Sequence, residues 1–137
     1  MNICFITQEY PPETNWGGIA TYTQTLARQM VKMGQRVHVI TLTEKDEYIT
    51  DDMGVIVHRI GRKPKDPFDP KNLSAPDHYI LSFSRRVYEE ILMVHKDEPI
   101  DIIEAPETCA QAFFAFKGLK DVKTVTRLHT PFFWIRH

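Results

Sequence analysis

Asn2-Ile3-Cys4-Phe5-Ile6-Thr7 opens the chain as a short apolar run of β-forming residues. A loop with Tyr10-Pro11-Pro12 follows, and Gly17-Gly18 then lead into a helical pattern that begins at Ile19. A strand that passes through glycines into a helix start is a particular chemical object. The first amides of a helix have no intrahelical acceptor, the macrodipole is positive there, and glycine lets a ligand come close to the backbone. Such an end receives anions, most often phosphates, and it points to a nucleotide or nucleotide-sugar site.

Working outward, apolar residues at Ile19, Tyr22, Leu26, Met30 and Val31 recur at helical spacing and stop at Gly34. Arg36-Val37-His38-Val39-Ile40-Thr41-Leu42 reads as a second strand. Strand, helix and strand in this order form a right-handed βαβ unit with parallel strands. A polar linker over Glu44 to Asp52 precedes a third strand, Val55 to Ile60, and the run Arg62 to Pro76, with four prolines, reads as a loop. A long helix is expected near Pro76 to Lys96, with Ile80, Phe83, Val87, Ile91 and Val94 as its apolar stripe. Ile100 to Glu104 is the next strand, Glu107 to Lys117 the next helix, and Lys123 to Leu128 the last strand, ending at His129. The alternation predicts one α/β domain over residues 1–137, an open, mostly parallel Rossmann-like sheet flanked by helices.

Bulk composition narrows the class. The 137 residues suffice for one core but not for two lobes. Lys and Arg number 17 against 18 Asp and Glu, a formal charge of -1, and no nucleic-acid-reading motif is present. No apolar stretch approaches the ~20 residues of a membrane span, and no signal peptide is read at the N-terminus. Cys4 and Cys109 are too few and too far apart for a metal knuckle or a disulfide framework, and both read as free core thiols in a reducing compartment. Thr130 to Ile135, with Phe132, Phe133 and Trp134, is strongly apolar, which suggests a chain that packs there against something further.

Ligands of open α/β sheets collect beyond the carboxyl ends of the strands. Three features converge on that edge: Gly17-Gly18 after the first strand, Glu104 and Glu107 around the end of the Ile100 strand, and His129-Thr130 after the last. The glycine pair is neither the dinucleotide fingerprint nor a P-loop, since Gly17 comes ten positions after Thr7 and no Gly-Lys-Ser/Thr follows. The longer loop leaves room for a diphosphate. His129 can donate to a ligand hydroxyl or carbonyl. Glu104 and Glu107 can orient sugar hydroxyls or act as acid or base, and Glu107 can equally serve the positive end of its helix. His38, His58, His78 and His95 read as structural or solvated. Arg62, Lys63 and Lys65, with Arg85 and Arg86, read as a solvated basic face, with contact to anionic lipid the secondary expectation.

Taken as an ordered set, Tyr10-Pro11-Pro12, Gly17-Gly18, a helix ending in Met33-Gly34, Val37-His38-Val39-Ile40-Thr41, Asp101-Ile102-Ile103-Glu104-Ala105-Pro106-Glu107 and Arg127-Leu128-His129-Thr130 resemble glycosyltransferase family 4. The resemblance implies a retaining enzyme of two-lobed GT-B architecture that moves a sugar from a nucleotide-diphosphate donor to an acceptor hydroxyl. It implies that Gly17 and Gly18 set amides near the donor diphosphate and that His129 lies by the transferred sugar as the catalytic residue. Glu104, Glu107 and Thr130 would then line the acceptor and sugar side. No cofactor or metal is expected, because helix amides and basic side chains stabilise the leaving diphosphate.

The acceptor would be a sugar, a lipid-linked or a small molecule. The protein would be cytoplasmic, with peripheral contact at the inner membrane face secondary. The family's C-terminal lobe, which carries a glutamate pair and cations for the nucleotide, is absent, so the chain is expected to be a fragment that transfers no sugar alone. The competing reading is a non-catalytic Rossmann-like module that supplies half a cleft to a separate chain.

Overall fold

The computed structural model describes residues 1–14, 17–66 and 74–129, the side chains of Ala75 and Pro76 excepted. Thr130 and Phe132 to Trp134 lie outside the described residues. The elements are β1 (Asn2–Ile6), α1 (Gly18–Lys32), β2 (Arg36–Leu42), β3 (Tyr48–Asp52), β4 (Val55–Ile60), α2 (Ala75–Asp97), β5 (Ile102–Pro106), a 3-10 turn (Thr108–Ala110), α3 (Phe113–Gly118) and β6 (Lys123–Arg127). The sheet runs in the order β3-β4-β2-β1-β5-β6. All pairings are parallel except β3 with β4. The expected α/β class and parallel Rossmann-like sheet are what the chain forms.

Alternation along the strands sends side chains to two cores. Ile3, Phe5, Val37, Val39, Val55 and Val57 pack under α1. Cys4, Ile6, Ile40, Leu42, Ile60 and Ile103 face α2 and α3, where Phe83, Val87 and Ile91 are fully buried. Truncating Phe83 to alanine there costs about 3–5 kcal/mol. On α1 the seat against the sheet is made by small residues, Ala20, Thr23 and Ala27, and the larger stripe residues Leu26, Met30 and Val31 flank it half-buried. α1 ends where expected: Gly34, at φ 78, donates to Val31 O and Gln35 to Met30 O, a Schellman closure.

Three expectations need correction. The polar linker contains a strand: β3 forms a hairpin with β4 through Met53 and Gly54, both at positive φ, the two-residue turn that matches strand twist. A Cβ at Gly54 would also lie 2.8 Å from Val31 Cγ1, so nothing larger fits. Sequence pattern misses β3 because it is a sheet edge with both faces solvated.

The fourth parallel strand begins at Ile102 rather than Ile100, since Asp101 is spent bonding Asn2. The helix expected from Glu107 is broken. Cys109 and Ala110 sit at φ 56 and 43, left-handed positions through which a right-handed helix cannot pass, so Thr108–Ala110 is only a tight turn and the α-helix is confined to Phe113–Gly118. Cys109 is consequently exposed rather than a core residue, while Cys4 is buried, its thiol pushed up to about 12 by burial and by Glu90.

Candidate functional site

The loop from Thr7 to Thr14 is a fixed structure. Tyr10 is fully buried, and its N–H donates to Thr14 Oγ1 at 2.8 Å. Arg59 of β4, only 1% exposed, donates from Nη2 to the carbonyls of Tyr10 (3.1 Å) and Pro11 (2.9 Å). The Tyr10 hydroxyl donates to Asp52 at 2.7 Å, and Arg28 of α1 forks onto the same carboxylate. Glu13 accepts from Thr43 and from Tyr48 at 2.7 Å. β2, β3, β4 and α1 all grip this loop, and its far end delivers the chain to the start of α1.

Gly17 is the N-cap of that helix in extended conformation, among the described residues no side chain caps it, and no acidic residue lies in its first turn. Neither glycine has positive φ. Among the described residues a Cβ at Gly18 would meet nothing within 4 Å, and one at Gly17 only Glu9 Oε2 at 3.9 Å. Neither conformation nor crowding within the described residues demands glycine at these positions. Glu9 Oε2 is itself buried with no hydrogen-bond partner among the described residues, beside the positive end of α1.

His129 follows β6 and comes to the same corner. Its ring meets the Tyr22 ring of α1 edge-on, centroids 5.4 Å apart and planes at 75°. Its backbone N–H donates to Glu107 Oε2 at 3.1 Å, and the Glu107 N–H donates to Arg127 O at 3.0 Å, so Glu107 closes the gap between the ends of β5 and β6. Arg127 lies 4.1 Å from the Tyr22 ring centroid and forks onto Glu104 at 2.7 and 2.8 Å. The bonds to Glu104 raise the Arg127 guanidinium further above its ordinary range, and burial raises the Tyr22 hydroxyl. Both Glu104 oxygens are thus engaged, each keeping lone pairs that a hydroxyl could use.

The structure therefore gathers Gly17, Gly18, Glu104, Glu107 and His129 around the first turns of α1 and the carboxyl ends of β5 and β6. Thr130 falls outside the described residues. An apolar cavity of about 540 Å³, lined by Ile80, Leu81, Cys109 and Phe113, opens beside Glu107. Sequence reasoning missed Tyr22 and Arg127 as members of this corner. In the sequence Tyr22 reads as part of the apolar stripe, and its position one turn after Gly18 is the available signal.

The basic face is revised. Arg86 is 1% exposed and bonded to Glu47 and Glu90, Arg85 pairs with Glu89 and Asp66, and Lys65 pairs with Glu47. Among the described residues no helix is long and apolar enough to cross a membrane, and no group of three or more His, Cys, Asp or Glu is arranged to hold a metal ion.

A six-stranded, mostly parallel sheet with its residues gathered on the carboxyl edge defines a Rossmann-like lobe of the GT-B type. Sucrose-phosphate synthase from Thermosynechococcus elongatus superposes with a TM-score of 0.69 at 12% identity, over 94% of this chain and 33% of that one. The catalytic domain of starch synthase IV from Arabidopsis thaliana, solved with ADP and acarbose, superposes with a TM-score of 0.64 at 17% identity, over 93% and 34%. The chain thus spans about a third of the length of each. No curated protein sequence matches it. The model of glycosyltransferase family 4 matches residues 16–137, and the chain belongs to that family.

Proposed function

We propose that this lobe is the acceptor side of a retaining glycosyltransferase that moves a hexosyl unit from a nucleotide-diphosphate sugar to an acceptor hydroxyl. The observation that carries the reading is the start of α1, which no described side chain caps and no described residue crowds at Gly17 and Gly18, with His129 seated on Tyr22 of the same helix. Amides at the helix start would take part of the diphosphate charge, without metal or other cofactor. His129 would donate to a hydroxyl of the transferred sugar, while Glu104, Glu107 and Thr130 line the acceptor side. The described residues make one wall of this cleft, so the 137 residues alone would transfer no sugar. Cytoplasmic placement goes with the reading, the two cysteines being free thiols.

The test uses the full-length protein with a second lobe and a panel of nucleotide sugars. His129→Ala should reduce turnover on the order of a hundredfold or more, and Gly18→Trp should block donor binding without unfolding the lobe. Wild-type turnover in both variants would return these residues to a structural role. Absence of transfer by the full-length protein with every donor would favour the non-catalytic module.

A further inference from the structure

On the α2 face of the sheet two histidines are buried against each other. His38 of β2 is 3% exposed and His58 of β4 is 5% exposed. His38 Nδ1 lies 3.1 Å from His58 Nε2. Their other ring nitrogens face carboxylates: His38 Nε2 is 3.2 Å from Glu98 Oε2, and His58 Nδ1 is 3.0 Å from Glu90 Oε1. Arg36 forks onto Glu98 at 2.7 and 2.8 Å. Arg86 joins Glu90 at 2.9 Å to Glu47 at 3.0 and 2.8 Å. The chain of contacts runs Arg36, Glu98, His38, His58, Glu90, Arg86, Glu47, and it ties β2 and β4 to α2.

Counting hydrogens decides its charge. Each of the three contacts made by the ring nitrogens needs one hydrogen, and ionised carboxylates supply none. The bonds from Arg36 hold Glu98 down at about 2. Burial alone would raise Glu90, but the bonds from His58 and Arg86 outweigh it and leave it lowered. Three hydrogens must therefore come from four ring nitrogens, whereas two neutral imidazoles carry only two. The third hydrogen makes one imidazolium, which can sit on either ring across the 3.1 Å contact.

Burial lowers His38 from its ordinary value. With the imidazolium proton the charges along the chain of contacts balance, Arg36, Arg86 and the pair against Glu47, Glu90 and Glu98, of which Arg86, Glu90 and the two histidines are buried. Among the other groups nearby, Cys4 stays neutral, Lys65 faces Glu47, and the exposed Asp97 lines the cavity beside the pair. That cavity, about 360 Å³ and lined by both histidines, Glu90 and Glu98, gives protons a route to solvent.

We propose that His38 and His58 share a single proton that latches α2 onto β2 and β4, and that the latch is a pH sensor built into the fold, independent of the carboxyl-edge site. Losing the proton on the alkaline side leaves two hydrogens for three contacts, so that either two bare ring nitrogens face each other at 3.1 Å or a carboxylate faces a bare one. Gaining a second on the acid side sets two cations against each other.

In the unfolded chain each histidine titrates near its ordinary ~6.5. Above that value the folded state holds more protons than the unfolded one, so stability falls as pH rises. Below it the unfolded state takes two protons and the folded state one, so stability falls as pH drops. The latch therefore makes stability peak near the ordinary histidine range.

Two measurements on the full-length protein test it. Imidazole nitrogen NMR near pH 7.5 should show one imidazolium and one neutral ring in the pair, losing one proton together at higher pH. Two neutral rings at that pH would overturn the proposal. The urea midpoint, followed from pH 5 to 9, should be bell-shaped for the wild type and flatter for His38→Gln/His58→Gln. Equal curvature in the two would also overturn it. If the double variant does not fold, the NMR measurement decides.

Discussion

His129, beyond β6, touches a tyrosine edge and bonds Glu107 only through its backbone; among the described residues no side chain reaches its ring nitrogens. His38, inside β2, has both ring nitrogens within hydrogen-bonding distance of other side chains. The same contrast separates the two ends of the polar inventory. At the carboxyl edge the start of α1 is uncapped and Glu9 Oε2 has no partner among the described residues, whereas across the α2 face arginines and glutamates are joined into one chain. Polar groups that face one another stabilise the fold, and polar groups left facing open space can bind something else. The two regions should therefore respond oppositely to substitution.

The largest stability effect is expected at Arg86. Alanine there leaves Glu47 and Glu90 without their shared cation and should cost about 3–5 kcal/mol in urea unfolding. A loss under about 1 kcal/mol would mean that water replaces the guanidinium and that the two regions differ less than their contacts suggest. Gly18→Trp should do the reverse, shifting the unfolding midpoint little while abolishing donor binding measured by calorimetry.

Tyr22→Leu comes next. It removes the ring beneath both Arg127 and His129, at about 1 kcal/mol of stability, and on the proposed function should cut turnover of the full-length protein roughly tenfold through a displaced His129. Unchanged turnover would separate His129 from its tyrosine.

The smallest effect is acid loss at Glu47 and Glu98, both held at about 2 by Arg86 and Arg36. Folded values below the ordinary one mean stability present above about 4.5 and lost as pH falls toward 2. Solvent screening trims the effect, since side-chain exposures are 36% and 38%. A pH titration of the Arg36→Gln variant should show a shallower acid limb.

Much of this was legible beforehand. β1, α1, β2, β4 and α2 announce themselves because each has one strongly apolar face or run, and the convergence of Gly17, Gly18, Glu104, Glu107 and His129 follows from parallel topology alone. β3 hides because an edge strand with solvated faces has no apolar pattern. The break at Cys109 hides because neither cysteine nor alanine is a residue type that signals a left-handed backbone. The histidine pair stayed invisible for another reason: its members are 20 residues apart and their carboxylates up to 60 away, distances at which only the register of β2 against β4 creates the contact.

Arg59 carries a kinetic consequence. By holding the Tyr10 and Pro11 carbonyls from inside the sheet, it freezes the loop before any ligand arrives. A ligand that meets Thr7 to Thr14 would then cost that segment no entropy on arrival, and on the proposed function the slow step of recognition would lie in the approach of a facing wall.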